Sequence, residues 1–318
     1  MNDHDEYGAC HGPSTTRRRL LAAAAATGLL SAVPGLSALA ADDRSMRTRA
    51  IPSTGEPLPV MGLGSSGTFA YPDNAARAAL LTVLKKFVAM GGAMVDTSPT
   101  YGSAETVIGE LARRADVRND IFMATKVHIR GRQAGLDQMA QSAARLGKPI
   151  DLMQIHNFVD LETQWQTLER LKGEGRFRYI GITHYLTRAF EELEHQMRTK
   201  DMDFVQFNYS ILTPEAEKRL LPLARDRGIA VIVNRAFNDG AIFGRTKGHA
   251  LPSYASELGI DSWAQFALKY VLANPAVNVV IPATSDPGHL VDNMQAGYGP
   301  LPDDKMQARM RATMAELS

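Results

Sequence analysis

Cysteine is almost absent: Cys10 is the only one in 318 residues. That excludes an intrachain disulfide framework and a thiolate zinc cluster. An excess of charge of one sign is missing as well, because 35 Lys and Arg stand against 34 Asp and Glu, for a net charge of +1. A nucleic-acid binder normally carries surplus Lys and Arg to displace counterions, so nucleic acid is not an expected partner. Disorder has a signature of low hydrophobicity with high net charge; here 45% of residues are hydrophobic and 22% charged. No tandem repeat shows beyond a strand–helix alternation, and no low-complexity linker divides the chain. What is present is the apolar content of a globular chain with a large core, long enough for one α/β barrel of about 250 residues.

The first forty residues read differently from the rest. Arg17, Arg18 and Arg19 precede Leu20-Leu21 and an Ala/Leu-rich stretch to Leu39, and Ala38-Leu39-Ala40 places small residues where a signal peptidase reads. A charged region, an apolar region and an A-x-A site together describe an export signal. Thr16-Arg17-Arg18-Arg19-Leu20-Leu21 resembles the twin-arginine (Tat) type. The expectation is an export signal peptide at residues 1–40, read by the Tat export machinery, and a mature periplasmic domain at 41–318 with no membrane attachment after cleavage. Cleavage after Ala40 removes Cys10, and a thiol-free chain suits an oxidising compartment. A retained membrane anchor is the alternative, since about 20 apolar residues span a bilayer; Pro34 and Gly35 interrupt the run and count against it.

Beyond the signal, Thr54-Gly55-Glu56 supplies a turn before the apolar run from Leu58 to Gly64, which predicts an N-terminal hairpin leading into the first core strand. Asp73 opens a helical stretch to about Met90, with Ala76, Leu80, Leu84, Phe87 and Val88 at helical spacing. Ala93 to Thr97 reads as a buried strand, and further strand-like runs centre near Phe122, Leu152, Ile180, Val205, Val231 and Val279. Helical stretches lie between them, at Glu162 to Lys172, Thr187 to Arg198, Glu215 to Arg227 and Ser262 to Ala273. Wholly apolar strands such as Ile229 to Val233 suit a parallel sheet covered on both faces. Eight such units predict a single-domain α/β fold, a (β/α)₈ TIM barrel. A doubly wound sheet would place a phosphate loop after its first strand. Gly62-Leu63-Gly64-Ser65-Ser66-Gly67 has that glycine spacing, but Phe69, Tyr71 and Pro72 intervene before any helix. Residues 235–261 read as the longest irregular stretch, of a length suited to a functional loop.

Chemistry in a barrel sits at the C-terminal ends of the strands. Asp96 closes one strand and Tyr101 follows in its loop; Lys126 closes the next, and His156 the one after. An acid, a phenol, an amine and an imidazole are thereby aimed at one mouth. A free phenol, with a pKa of about 10, gives up its proton reluctantly near neutrality. A neighbouring ammonium favours the phenolate, a carboxylate keeps the ammonium charged, and an imidazole can orient a carbonyl. Each residue alone has a structural explanation, as a helix cap, an ion pair or a buried polar group. The set points to proton donation. A metal-dependent hydrolase would need several His and carboxylates at strand ends, and only His156 and Asp96 qualify, so no metal is expected.

The segment Met94-Val95-Asp96-Thr97-Ser98-Pro99-Thr100-Tyr101-Gly102-Ser103-Ala104-Glu105 resembles the aldo-keto reductase segment that carries Asp and Tyr. Ala124-Thr125-Lys126 is similar to that family's lysine strand, and Asp151 to Asn157 to its histidine strand. The resemblance implies a (β/α)₈ barrel that reduces an aldehyde or ketone with NADPH, with Tyr101 as proton donor, Lys126 and Asp96 tuning it, and His156 positioning a small-molecule carbonyl substrate. It also implies cofactor contacts at Thr183, His184 and Gln206 around the carboxamide, and at Thr284, His289, Asp292 and Asn293 around the adenosine.

Two segments depart from the pattern. Where the family has an aromatic that stacks on the nicotinamide, Val233-Asn234-Arg235-Ala236-Phe237 places Asn234, which leaves Asn234, Arg235 and Phe237 as the cofactor contacts there. Ala283 and His289 stand where many members have Lys and Arg for the 2′-phosphate, so NADP is the expected cofactor with NAD as the alternative. A non-enzymatic nucleotide-binding barrel, acting as a sensor or interaction module, is the competing function. Phe69, Tyr71, Phe158 and Phe237 are candidate walls of an apolar substrate pocket.

Overall fold

A computed structural model describes residues 45–317. The expected export signal at 1–40 lies outside the described residues. The described residues open with an antiparallel hairpin of β1 (Thr48–Ala50) and β2 (Pro57–Pro59). Eight strands follow: β3 (Leu63–Gly64), β4 (Met94–Asp96), β5 (Phe122–Val127), β6 (Leu152–His156), β7 (Tyr179–His184), β8 (Phe204–Asn208), β9 (Ala230–Asn234) and β10 (Val277–Val280). They pair in parallel and in sequence order. The ring closes where Gly62 N donates to Val280 O at 2.8 Å, Val280 N to Val60 O at 2.9 Å, and Gly64 N to Pro282 O at 3.2 Å. The expected (β/α)₈ barrel and its N-terminal hairpin are therefore observed.

Gly64 explains the glycine spacing in this stretch. A Cβ there would lie 2.7 Å from Ile281 O, so glycine is required for the last strand to approach the first. The motif closes the barrel, and no helix follows it until Asn74.

Helices cover the ring: α1 (Asn74–Ala89), α2 (Ala104–Arg114), α3 (Arg132–Leu146), α4 (Leu161–Gly173), α5 (Phe190–Thr199), α6 (Leu220–Arg227), α7 (Ala241–Thr246), α8 (Trp263–Ala273), α9 (Pro287–Gln295) and α10 (Asp304–Glu316). Asp73 caps α1 by accepting from Ala76 N at 2.8 Å, and Leu80, Val83, Leu84 and Phe87 line its buried face. Two stretches differ from expectation. The helix read from Glu215 to Arg227 breaks into a 3₁₀ turn, Glu215–Glu217, and α6. Pro222 has no N–H and is tolerated only in a first turn, so the helix restarts at Leu220. Residues 235–261, read as irregular, contain α7 and two 3₁₀ turns, pieces too short to show a period.

Each strand buries two faces. Outward positions, among them Val95, Met123, Ile155, Ile182, Val205 and Val231, join the helices in one apolar layer. Inward positions form a second: Met94, Phe122, Ala124, Leu152, Tyr179, Phe204, Ala230, Ile232 and Val279, with Ile51 and Leu58 of the hairpin. The hairpin thus plugs the N-terminal end of the barrel. Arg49 ties it down, donating to the carbonyls of Leu272 at 2.6 Å and Asn274 at 2.8 Å.

Candidate active site

Strand alternation sends every second side chain inward. Continuing from the apolar interior toward the C-terminal ends, the inward positions become Asp96, Lys126, Gln154, His156, Thr183, Gln206 and Asn234. Register then decides who meets whom: Lys126 lies opposite Gln154, His156 opposite Thr183, and Thr183 opposite Gln206. The centre of this layer is Asp96, which is 3% exposed. Its Oδ2 accepts from Lys126 Nζ at 2.6 Å, and its Oδ1 from Gln206 Nε2 at 2.9 Å and Gln154 Nε2 at 3.1 Å.

Lys126 is wholly buried and donates also to Thr97 O at 2.7 Å. Burial pulls its pKa down, but Asp96 and Tyr101 outweigh that, and the net direction is up, so the amine is an ammonium at neutral pH. Its Nζ lies 5.2 Å from the centre of the Tyr101 ring. Tyr101 in turn meets His156 edge-on, with centroids 5.9 Å apart and planes at 87°. His156 Nδ1 lies 3.1 Å from Ser98 Oγ, leaving Nε2 for a ligand. Burial above all, then the charges of Lys126, His128 and His184, hold the His156 pKa down at about 3, so the ring is neutral at physiological pH.

Above this layer a cavity of about 620 Å³ opens, lined by Asp96, Tyr101, His156, Thr183, Gln206, Asn234, Arg235 and Phe237 among others. Thr183 Oγ1 and Asn234 Nδ2 both donate to Gln206 Oε1, at 2.8 and 3.3 Å. Arg235 lies over the Tyr185 ring at 4.4 Å and pairs with Asp239 at 3.1 Å. A second cavity, about 480 Å³, adjoins the first and shares Phe237, Phe243 and Ala283 with it. Thr284, His289, Asp292 and Asn293 line it, with Lys247 and Trp263. Asp292 also accepts from Ser262 Oγ at 2.7 Å and Gln265 Nε2 at 2.6 Å, so its carboxylate braces the wall.

The residues fit a two-lobed dinucleotide. Asn157 and Asn234 line the first cavity, and each carries a buried side-chain oxygen with no hydrogen-bond partner among the described residues. Among the described residues no cluster of His, Cys, Asp and Glu could hold a metal ion.

The aldo/keto reductase family model matches residues 60–312. The chain belongs to the aldo/keto reductase family. Among curated relatives it is 26% identical over 266 residues to the aldo-keto reductase str7 of Strobilurus tenacellus, covering 71% of this chain and 78% of that protein. It is 26% identical over 234 residues to the NADH-specific methylglyoxal reductase of Escherichia coli, covering 61% and 68%. Among solved structures, an aldo/keto reductase from Klebsiella pneumoniae in complex with NADP and acetate shares the fold, with a TM-score of 0.68 at 22% identity over 81% of this chain and 92% of that one. This aldo/keto reductase is an NAD(P)H-dependent oxidoreductase acting on carbonyl groups.

Several side chains of the reductase stand elsewhere than the sequence suggests. His184 does not line the cavity: Thr183 takes the inward position, and alternation turns His184 outward, between Phe158 at 4.9 Å and Tyr185 at 5.7 Å. Of the four candidate pocket walls only Phe237 lines the cavity. Phe69 is fully buried in the outer apolar layer, Tyr71 is 79% exposed, and Phe158 packs on His184. Missed by sequence reasoning are Gln154, Ser98, Asn157, Tyr185 and Lys247. Gln154 shares a strand face with His156, two residues on, but only the fold shows that it meets Asp96, and the fold alone brings Lys247 to the second cavity.

Proposed function

We propose that this aldo/keto reductase donates the proton for carbonyl reduction from Tyr101. The observation that carries this is the buried Lys126–Asp96 pair at 2.6 Å with Nζ held 5.2 Å from the Tyr101 ring. The bound cofactor supplies a hydride to the carbonyl carbon. Tyr101 gives its hydroxyl proton to the carbonyl oxygen, and the Lys126 ammonium stabilises the phenolate that remains. Asp96 fixes that ammonium, and Gln154 and Gln206 hold the carboxylate in place by donating to its other oxygen. Neutral His156, oriented by Ser98, offers Nε2 to the substrate oxygen. Tyr101→Phe tests this: reduction of an aldehyde falls by about 10²–10⁴-fold while dinucleotide binding survives, and unchanged turnover overturns the assignment.

The first cavity would hold the nicotinamide, beside Thr183, Gln206 and Asn234, and the second the adenosine, beside Thr284, His289, Asp292 and Asn293. Lys247, on the second cavity, supplies a positive charge that favours the 2′-phosphate of NADP. The exposed Ala283 and the NADH-specific relative support NAD as an alternative cofactor.

We also propose that residues 1–40 direct export by the twin-arginine route, with cleavage after Ala40 and action in the periplasm. The Arg17–Arg19 cluster, the mild apolar run and the Ala38-Leu39-Ala40 site support this. Because that route moves folded proteins, the cofactor travels inside the barrel. Among the described residues no helix is long and apolar enough to cross a membrane. Fractionation of cells carrying wild type or Arg17→Lys/Arg18→Lys decides: the wild type accumulates in the periplasm with nicotinamide absorbance and the variant does not. A cytoplasmic wild type overturns the export reading, and an empty periplasmic protein overturns the cargo reading.

A further inference from the structure

We propose that Glu105 is a positioning residue for carbonyl reduction: it fixes Tyr101 against Lys126 by tying the first turn of α2 to the strand that carries the lysine. The inference rests on Tyr101 as proton donor, and it adds to that site a residue that does not line the cavity.

Strand parity sends consecutive residues of β5 to opposite faces. Phe122 and Ala124 point into the barrel, and Met123 and Val127 join the outer apolar layer. Lys126 and Thr125 continue that pattern, one inward and one outward, and each reaches the segment that carries Tyr101. Inside, Lys126 Nζ donates to Thr97 O at 2.7 Å, where the loop after β4 begins. Outside, Thr125 Oγ1 donates to Glu105 Oε1 at 2.7 Å, in the first turn of α2. Two neighbouring residues of one strand thus grip the segment 97–105 at both ends, and Tyr101 is its middle residue. The outer grip passes to Tyr101 through the backbone. Ala104, next to Glu105, donates its N–H to Tyr101 O at 3.1 Å, and Tyr101 N donates to Ser98 O at 3.1 Å. A shift of the first turn of α2 therefore carries Tyr101 with it, while Lys126 stays on β5.

Glu105 and Thr125 are both buried. The second oxygen of Glu105 accepts from Arg145 Nη1 of α3 at 3.2 Å. Covering this part of the sheet does not need a charge, because Val107, Ile108 and Leu111 of the same helix cover the rest with apolar groups. Apolar contact is non-directional and lets a helix slide by a fraction of an ångström; a short hydrogen bond to a carboxylate fixes a point. Catalysis is sensitive on that scale, since a misplacement of about 1 Å can cost about 10²-fold in rate. Glu194 of α5 is the contrast. It is buried too, but it pairs with Arg198 and Arg219 in the helical layer and touches no part of the segment 97–105.

Kinetics of the full-length protein with NADPH and methylglyoxal test this. Thr125→Val removes the hydroxyl at nearly constant volume. It lowers kcat by about tenfold, the weight of one hydrogen bond to a charged group, and leaves the Kd for NADP⁺ unchanged. Its solvent deuterium isotope effect on kcat rises, because delivery of the proton becomes the slow step. Glu105→Asp keeps the charge but withdraws it by one methylene, and it produces the same two changes. The double variant loses no more than either single one, because both break one contact. Thr125→Ser keeps the hydroxyl and recovers most of the rate. Glu194→Gln lowers stability and leaves kcat and the isotope effect as in the wild type. A wild-type kcat in Thr125→Val, an equal loss in Thr125→Ser or Glu194→Gln, or losses that add in the double variant overturn the inference. So does a lowered kcat with an unaltered isotope effect, which assigns Glu105 to stability alone. Full turnover by Tyr101→Phe brings down the proton-donor reading as well, whereas its collapse beside an unaffected Thr125→Val refutes this inference alone.

Discussion

The two ends of the barrel interior are built from the same strands, two to four residues apart, and obey opposite rules. Toward the N-terminal end Met94, Phe122, Leu152, Tyr179, Phe204 and Ala230 fill the space with apolar contact. Toward the C-terminal end the inward residues are Asp96, Lys126, Gln154 and Gln206, each of them buried. Apolar groups need only volume and shape, so stability there grows with area removed from water, at about 25 cal/mol per Å². Buried polar groups need named partners, because each unpaired one is costly. The lower half fills the barrel with apolar contact; the upper half holds paired polar groups beneath the cavity. It keeps a charge in the interior, aimed at a phenol.

Lys126→Met breaks this division most severely. It leaves the Asp96 carboxylate buried without its cation, so unfolding in urea becomes easier by about 3–5 kcal/mol, and carbonyl reduction falls by about 10²–10⁴-fold. Both losses are checked on one preparation, by denaturation and by steady-state kinetics. Phe204→Ala attacks the lower half alone. It costs about 3–5 kcal/mol of stability, and the remaining folded protein keeps its KM and kcat; a large change in kcat would join the two halves.

The smallest effect concerns pH. His156 stays neutral in the fold down to about pH 3, whereas the unfolded chain takes up its proton near 6.5. Between those values the unfolded state binds the extra proton, so stability is full above pH 6.5 and declines as pH falls, by up to about 1.4 kcal/mol per pH unit. His184, lowered by burial and by Arg188, adds in the same direction. His156→Gln flattens the slope of unfolding free energy between pH 6.5 and 5, and an unaltered slope would show that the ring is not the proton acceptor.

Legibility in the sequence divided along the same line. Asp96, Tyr101, Lys126 and His156 stand out because each ends or follows an apolar run, and a polar residue at such a place is conspicuous. Gln154 does not, since a glutamine inside an apolar strand resembles any tolerated polar residue until its neighbour across the sheet is known. Phe69 and Tyr71 read as pocket walls from type and proximity, yet one is core and the other surface. His184 reads as a ligand from its motif position, and strand parity turns it outward.

By itself the sequence determined the alternation of strands and helices and the polar residues that end three successive strands, Asp96, Lys126 and His156. These are local properties, set by periods of 2 and 3.6 residues that any stretch carries with it. Tertiary structure alone decided which inward residues meet: that Gln154 and Gln206 share Asp96, that Asn234 donates to Gln206, and that Lys247 reaches the second cavity. Those meetings depend on closing the ring between residues far apart in the chain, and no window of sequence contains both partners.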